Sequence, residues 1–145
     1  MSHDRWFYPL DVRIDFDRLV ADTDALLARV PLAFDRTRQL ALHMRRGTTD
    51  PWYEGCRKQR HIEHDSDYNE LNPGLIGTCF AELFERLPFR AFRARLMSLD
   101  PSACYSIHVD ETPRYHMAIH TSEWARLVFV NLERVIHIPA DGRVY

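Results

Sequence analysis

Glycine and cysteine are both scarce in this chain, with five glycines and three cysteines among 145 residues. No glycine-rich phosphate loop and no GxGxxG fingerprint occurs, so nothing marks a P-loop or a dinucleotide-binding turn. Cys56, Cys79 and Cys104 lie far apart, are odd in number and form no CxxC pair. Neither a zinc knuckle nor a thioredoxin motif is supported, and each cysteine reads as a small buried hydrophobe. An excess of one charge is missing too. Nineteen Lys and Arg face 21 Asp and Glu, and the net charge of -2 leaves no footprint for nucleic acid or a membrane surface. No apolar run is long enough to span a bilayer. The start, Met1-Ser2-His3-Asp4-Arg5, lacks the charged-then-apolar layout of a secretion signal. The expected setting is the cytoplasm, intracellular and reducing.

What the chain does have is enough apolar matter for a core: 46% hydrophobic and 12% aromatic residues. Its length suggests one domain over residues 1–145, with a helical and loop portion at 1–88 and strands at 89–145. Residues 8–14 alternate and read as an opening strand. Phe16, Leu19, Val20, Leu26, Leu27 and Val30 share one helical face, with Asp15 as N-cap and Pro31 as the stop. Leu40, Leu42 and Met44 lie on one side of a strand over 39–44. Residues 45–74 are rich in Gly, Asp, Asn, Glu and His and read as a long binding loop or lid. Trp52, Tyr53 and Tyr68 within it either line a substrate mouth or cover one end of the core. A second amphipathic helix is expected over 75–87, closed by Pro88.

From Phe89 onward the pattern is β. Strands are expected at 92–99, 103–108 and 115–121, with a turn at Asp100-Pro101-Ser102. A hairpin joins 126–132 to 134–138, and Asp141-Gly142 is a strong turn signal. Residues 143–145 open one more strand, although strands ordinarily run about five or six residues. The sequence is therefore expected to be a piece of a longer chain; the alternative is a short edge strand. Two helices ahead of short antiparallel strands imply a sandwich or jelly roll with helices on one sheet.

The chemistry concentrates at His108-Val109-Asp110. In a strand, side chains at i and i+2 point to one side, so this pair can grip one ion from a sheet edge. An imidazole nitrogen and a carboxylate oxygen suit Fe(II), held by two histidines and one carboxylate with positions left open. The bland reading is a histidine bonded to a nearby carboxylate. Arg114 and His116 follow at the same i, i+2 spacing, and an arginine fork binds carboxylates. His120 and His137 read as ordinary strand histidines. His61, Glu63, His64 and Asp65 read as a solvated charged face. Ser106 belongs to no recognisable triad.

Three stretches together resemble the aspartyl/asparaginyl β-hydroxylase family of Fe(II)/2-oxoglutarate-dependent oxygenases. They are Arg95 through Pro101, Ile107-His108-Val109-Asp110, and Arg114-Tyr115-His116 running on to Thr121. Residues 135–145 resemble the hairpin and glycine-led aromatic strand that follow in that family. The likeness covers about the last third of the chain. It implies a mainly β fold with flanking helices: a double-stranded β-helix (jelly roll, cupin-like), incomplete at its C-terminus. It maps His108 and Asp110 to two iron ligands, Arg114 and His116 to contacts with 2-oxoglutarate or the substrate carboxylate, and Arg95 to the substrate. The distal histidine and a basic anchor for 2-oxoglutarate are expected beyond Tyr145. The implied activity is O₂-dependent hydroxylation of an amino-acid side chain, free or peptide-borne. The alternatives are a non-catalytic jelly-roll binding domain or another metal-dependent cupin-type enzyme.

Overall fold

The clearest periodicity in the sequence becomes the longest helix, α1 (Phe16–Arg29). Asp15 Oδ1 accepts the N–H of Arg18 at 3.0 Å, the bond an N-cap makes to one of the orphan donors of the first turn. Leu19 and Leu26, both on the apolar face named above, are fully buried. The structure is a computed structural model and describes residues 7–35, 37–57, 64–110 and 112–145. The chain packs as two units: residues through Ala21 together with Val109–Tyr145, and Asp22–His108.

In the unit of residues 22–108, β1 (Thr37–Ala41) pairs antiparallel with β4 (Arg95–Leu99), Gln39 standing opposite Met97. After a bend at Leu42 the chain continues as β2 (His43–Met44), which pairs with β3 (Glu70–Leu71). Leu42 and His43 both donate to the Ala94 carbonyl, and Asn72 N–H donates to Leu42 O, so the bend keeps its backbone satisfied. Gln39, Leu40, Ala41, Leu42 and His43 are buried in succession. This stretch is therefore covered on both faces rather than one.

The helix α2 (Cys79–Arg86) is shorter than the periodicity suggests. Gly77 stands at φ +83° just before it, and residues 73–75 form a separate 3₁₀ turn. Thr78 occupies the N-cap without using its side chain. Asp22 of α1 does that work instead, its Oδ2 accepting from Cys79 N–H at 2.7 Å. A carboxylate there also suits the positive end of the helix dipole.

The long loop is held by side chains. Asn72 is almost wholly buried, donates Nδ2 to Pro51 O at 2.9 Å and accepts Gly74 N–H at 3.0 Å. Trp52 lies over Gly74, where a Cβ would run into the indole. Arg93 reaches in from the opposite side. Its Nε donates to Gly55 O at 3.0 Å, one terminal nitrogen pairs with Asp65 at 2.8 Å, and the other donates to Arg57 O. Its guanidinium also stands over the Tyr68 ring.

In the unit containing the C-terminal residues, β5 (Leu127–Phe129) and β6 (Arg134–Ile136) form a hairpin around a 3₁₀ turn. Val128 and Val135 face each other across it and are exposed. Residues 143–145 find partners within the chain. Arg143 bridges Arg13, Leu10 N–H donates to Val144 O at 2.7 Å, and Tyr145 exchanges two 2.8 Å backbone bonds with His116. Gly142 begins this stretch at φ +73°, and a Cβ there would strike the Ile14 carbonyl. Only glycine combines that backbone with that approach. Val12, Ile14 and Val144 are buried, and Phe7 stacks on Tyr145 at 5.7 Å.

The double-stranded β-helix expected from the sequence is not what the chain forms. The described strands make three separate two-stranded antiparallel ribbons, with two α-helices and no closed barrel. The strands expected at 103–108 and 115–121 are irregular. Their alternation has no buried side to serve, since Tyr105, Ile107, Val109 and Tyr115 are all exposed. A strand exists only where a neighbour completes its ladder. Among the described residues that happens here only at His116, opposite Tyr145. None of the described helices is long and apolar enough to cross a membrane.

Candidate functional site

His108 lies on irregular, exposed backbone. Its Nδ1 is 2.7 Å from the Ser106 carbonyl and 6.3 Å separates its ring from that of Tyr105. A carbonyl can only accept, so Nδ1 carries the proton. In the neutral ring the lone pair is then at Nε2, and a backbone carbonyl fixing the tautomer in this way is usual for metal-binding histidines.

Asp110, Arg114 and His116 come together in the other unit. Asp110 Oδ1 pairs with Arg114 Nε at 3.2 Å, both side chains being about two-fifths exposed (39% each). His116 is held through its backbone by Tyr145. Desolvation by the surrounding protein draws its imidazole below the ordinary range, although much of the residue's area is exposed. The negative charge of Asp110 acts in the opposite sense, and Arg114 adds to the lowering. Tyr145 donates its hydroxyl to Asp141 Oδ2 at 2.9 Å, and Asp141 Oδ1 also accepts Arg143 N–H. Burial and the Asp141 carboxylate raise the Tyr145 phenol. The far side of the His116 pairing is therefore fixed by the turn around Gly142.

Arg95 stands on β4 and donates to Gln39 Oε1 at 3.1 Å. The same oxygen accepts Arg57 N–H at 2.9 Å. Arg95 thus serves a buried glutamine on the neighbouring strand. His137 bonds the Ala125 carbonyl at 3.0 Å, closing the base of the hairpin. Asp65 is committed to Arg93. His64 is exposed; His61 and Glu63 lie outside the described residues. Among the described residues no three His, Cys, Asp or Glu side chains gather closely enough to hold a metal ion.

The aromatic residues of the long loop belong to packing. Tyr68 is 1% exposed, and Tyr53 donates its hydroxyl to Pro31 O at 2.7 Å. Cys56 and Cys79 are buried as expected, while Cys104 is exposed. Burial pushes the Cys56 thiol up to about 11, the opposite of what a nucleophilic cysteine requires.

One residue with chemical potential escapes sequence reasoning altogether. His43 is 5% exposed and packs against Phe84, ring centres 4.3 Å apart and planes tilted by 39°. Its Nδ1 accepts Ala94 N–H at 3.4 Å. Desolvation first, and then the positive charge of Arg90, lower its pKa to about 4. It borders a cavity of about 300 Å³. The only signal was its place in the alternation, and that pointed the wrong way: it fell on the face opposite Leu40, Leu42 and Met44, which a one-sided strand would leave in water.

No protein-family model matches this chain, and no curated protein matches it either.

Proposed function

We propose that this chain serves Fe(II)/2-oxoglutarate-dependent hydroxylation of an amino-acid side chain, free or within a peptide, in the cytoplasm. His108 and Asp110 would be two of the iron donors, and Arg114 and His116 would receive a carboxylate of 2-oxoglutarate or the substrate. The observation that carries the reading is the Asp110–Arg114 pair at 3.2 Å. It sets a metal-type carboxylate beside a carboxylate-binding guanidinium, as this chemistry requires. The His108 tautomer, with Nδ1 protonated toward Ser106 O, supports it. The reading rests on these residues and not on the barrel, which the chain does not form. Arg95 is the weakest member, since its guanidinium is engaged with Gln39.

What these residues contribute is binding and orientation. Asp110 and Arg114 hold each other in the absence of ligand, and a carboxylate arriving at Arg114 would compete with Asp110 for the guanidinium. Exchange of one carboxylate for the other would turn Asp110 toward a metal. His116 stands beside both charges, anchored by Tyr145.

The test is binding under anaerobic conditions. Fe(II) with 2-oxoglutarate should raise the melting temperature of the wild-type protein more than either does alone. His108→Ala and Asp110→Ala should lose the metal-dependent part, and Arg114→Met the part due to 2-oxoglutarate. No shift in the wild type, or an undiminished one in both donor variants, rejects the assignment. A second reading, binding without turnover, is favoured by the incomplete donor set among the described residues. It is distinguished by a shift that occurs without any succinate formation in air.

A further inference from the structure

The cavity beside His43 lies wholly within residues 22–108 and shares no residue with the site proposed above. Its walls include Leu71, Phe84 and two alanines, and its polar lining is His43, Asn69, Glu85 and Arg90. It is an open depression of about 300 Å³, with four polar or charged residues among the eight that line it. Asn69 is occupied, donating Nδ2 to Ser66 O at 2.7 Å and giving its carbonyl to Arg90 at 3.5 Å.

The key atom is His43 Nε2. Nδ1 accepts from the Ala94 backbone, so in the neutral ring Nε2 carries the proton. Nε2 has no hydrogen-bond partner among the described residues, yet it is not among the buried atoms cut off from solvent. An imidazole 95% removed from water therefore keeps one donor reachable at a cavity it lines, since it is only 5% exposed. An acceptor that reaches Nε2 replaces water in a largely desolvated setting, where a hydrogen bond is worth more than in bulk water. Arg90 brings a guanidinium to the same lining, and no ion pair joins it to Glu85 among the described residues. Glu85 opposes a second negative charge on whatever enters.

We propose that this cavity binds a small monocarboxylate with an apolar body, its carboxylate accepting from His43 Nε2–H and pairing with Arg90, its body lying against Phe84 and Leu71. Two donors of different type select a carboxylate over a neutral carbonyl. The apolar walls select a hydrocarbon or aromatic remainder over a polar one. Glu85 selects a monoanion over a dianion such as 2-oxoglutarate, which separates this cavity from the site of Asp110 and Arg114.

Benzoate is the probe, with benzamide as its neutral counterpart and 2-oxoglutarate as the dianion. Titration of isotope-labelled full-length protein, followed by NMR, should show saturable benzoate shifts at the His43 ring and the Ala94 amide. Benzamide and 2-oxoglutarate should bind at least tenfold more weakly there. Arg90→Gln should weaken benzoate at least tenfold, and His43→Leu should abolish its binding. Should His43→Leu fail to fold, Arg90→Gln at an exposed position still decides. His108→Ala and Asp110→Ala should leave benzoate binding intact, so failure at either site is read apart from the other. Absence of saturable shifts at millimolar benzoate, equal binding of benzamide, or indifference to Arg90→Gln overturns the proposal.

Discussion

Acid should weaken the wild-type protein more than a His43→Gln variant, and the excess can be worked from the environment of one ring. In the unfolded chain His43 titrates at the ordinary value of 6.5; in the folded protein burial and Arg90 bring it to about 4. Between those values the unfolded state takes up a proton that the folded state refuses. Stability therefore rises with pH across this window and falls on acidification, by about 1.4 kcal/mol per unit of difference. From pH 7.5 to 4.5 the loss due to His43 alone comes to about 2–3 kcal/mol. Glutamine is neutral throughout and can still accept from Ala94 N–H. The carboxylates of both proteins titrate alike, so the difference between two pH profiles isolates the histidine. Urea unfolding at several pH values measures it. The variant's absolute stability does not matter; its slope does. Parallel profiles would refute the reasoning, as would an NMR titration placing the His43 ring near its ordinary pKa.

Three further outcomes follow from particular contacts. Gly142→Ala places a methyl group against the Ile14 carbonyl at a left-handed backbone position, and should destabilise by about 1–3 kcal/mol in chemical denaturation. Arg93→Met removes the guanidinium that pairs with Asp65 and donates to the Gly55 and Arg57 carbonyls. It should lower stability by about 2–4 kcal/mol and expose the chain near Arg57 to limited proteolysis. A chromogenic disulfide reagent should label Cys104 quickly and the two buried thiols only on unfolding; fast reaction of two or three thiols would contradict the burial of Cys56 and Cys79.

Local signals in the sequence were reliable where the chain itself decides the outcome. The apolar stripe of α1 and the Asp15 cap are set within a few residues, and so is the Asp141-Gly142 turn. The hairpin over β5 and β6 falls where alternation put it, though with shorter strands. Pairing is another matter. The alternation over 103–108 and 115–121 is the same kind of signal, but it becomes strand only if a neighbour arrives. Here Ile107 and Val109 remain in solvent. The same limit hid His43. A stretch buried on both faces has no polar side, and nothing in a single alternating stretch reveals that Phe84 of α2 lies against His43. At the candidate site, the structure pairs Asp110 with Arg114 on irregular backbone, not across the two strands that the spacing suggested. Spacing could not show that Arg95 would be spent on Gln39, a residue 56 positions away along the chain.

The most direct test of the proposed chemistry is succinate formation. The protein is incubated in air with Fe(II), 2-oxoglutarate and a panel of free amino acids and short peptides. Iron-dependent succinate should form, disappear in His108→Ala and in Asp110→Ala, and fall sharply in Arg114→Met. Absence of succinate from the wild type, or undiminished succinate from the two donor variants, would contradict the proposed chemistry.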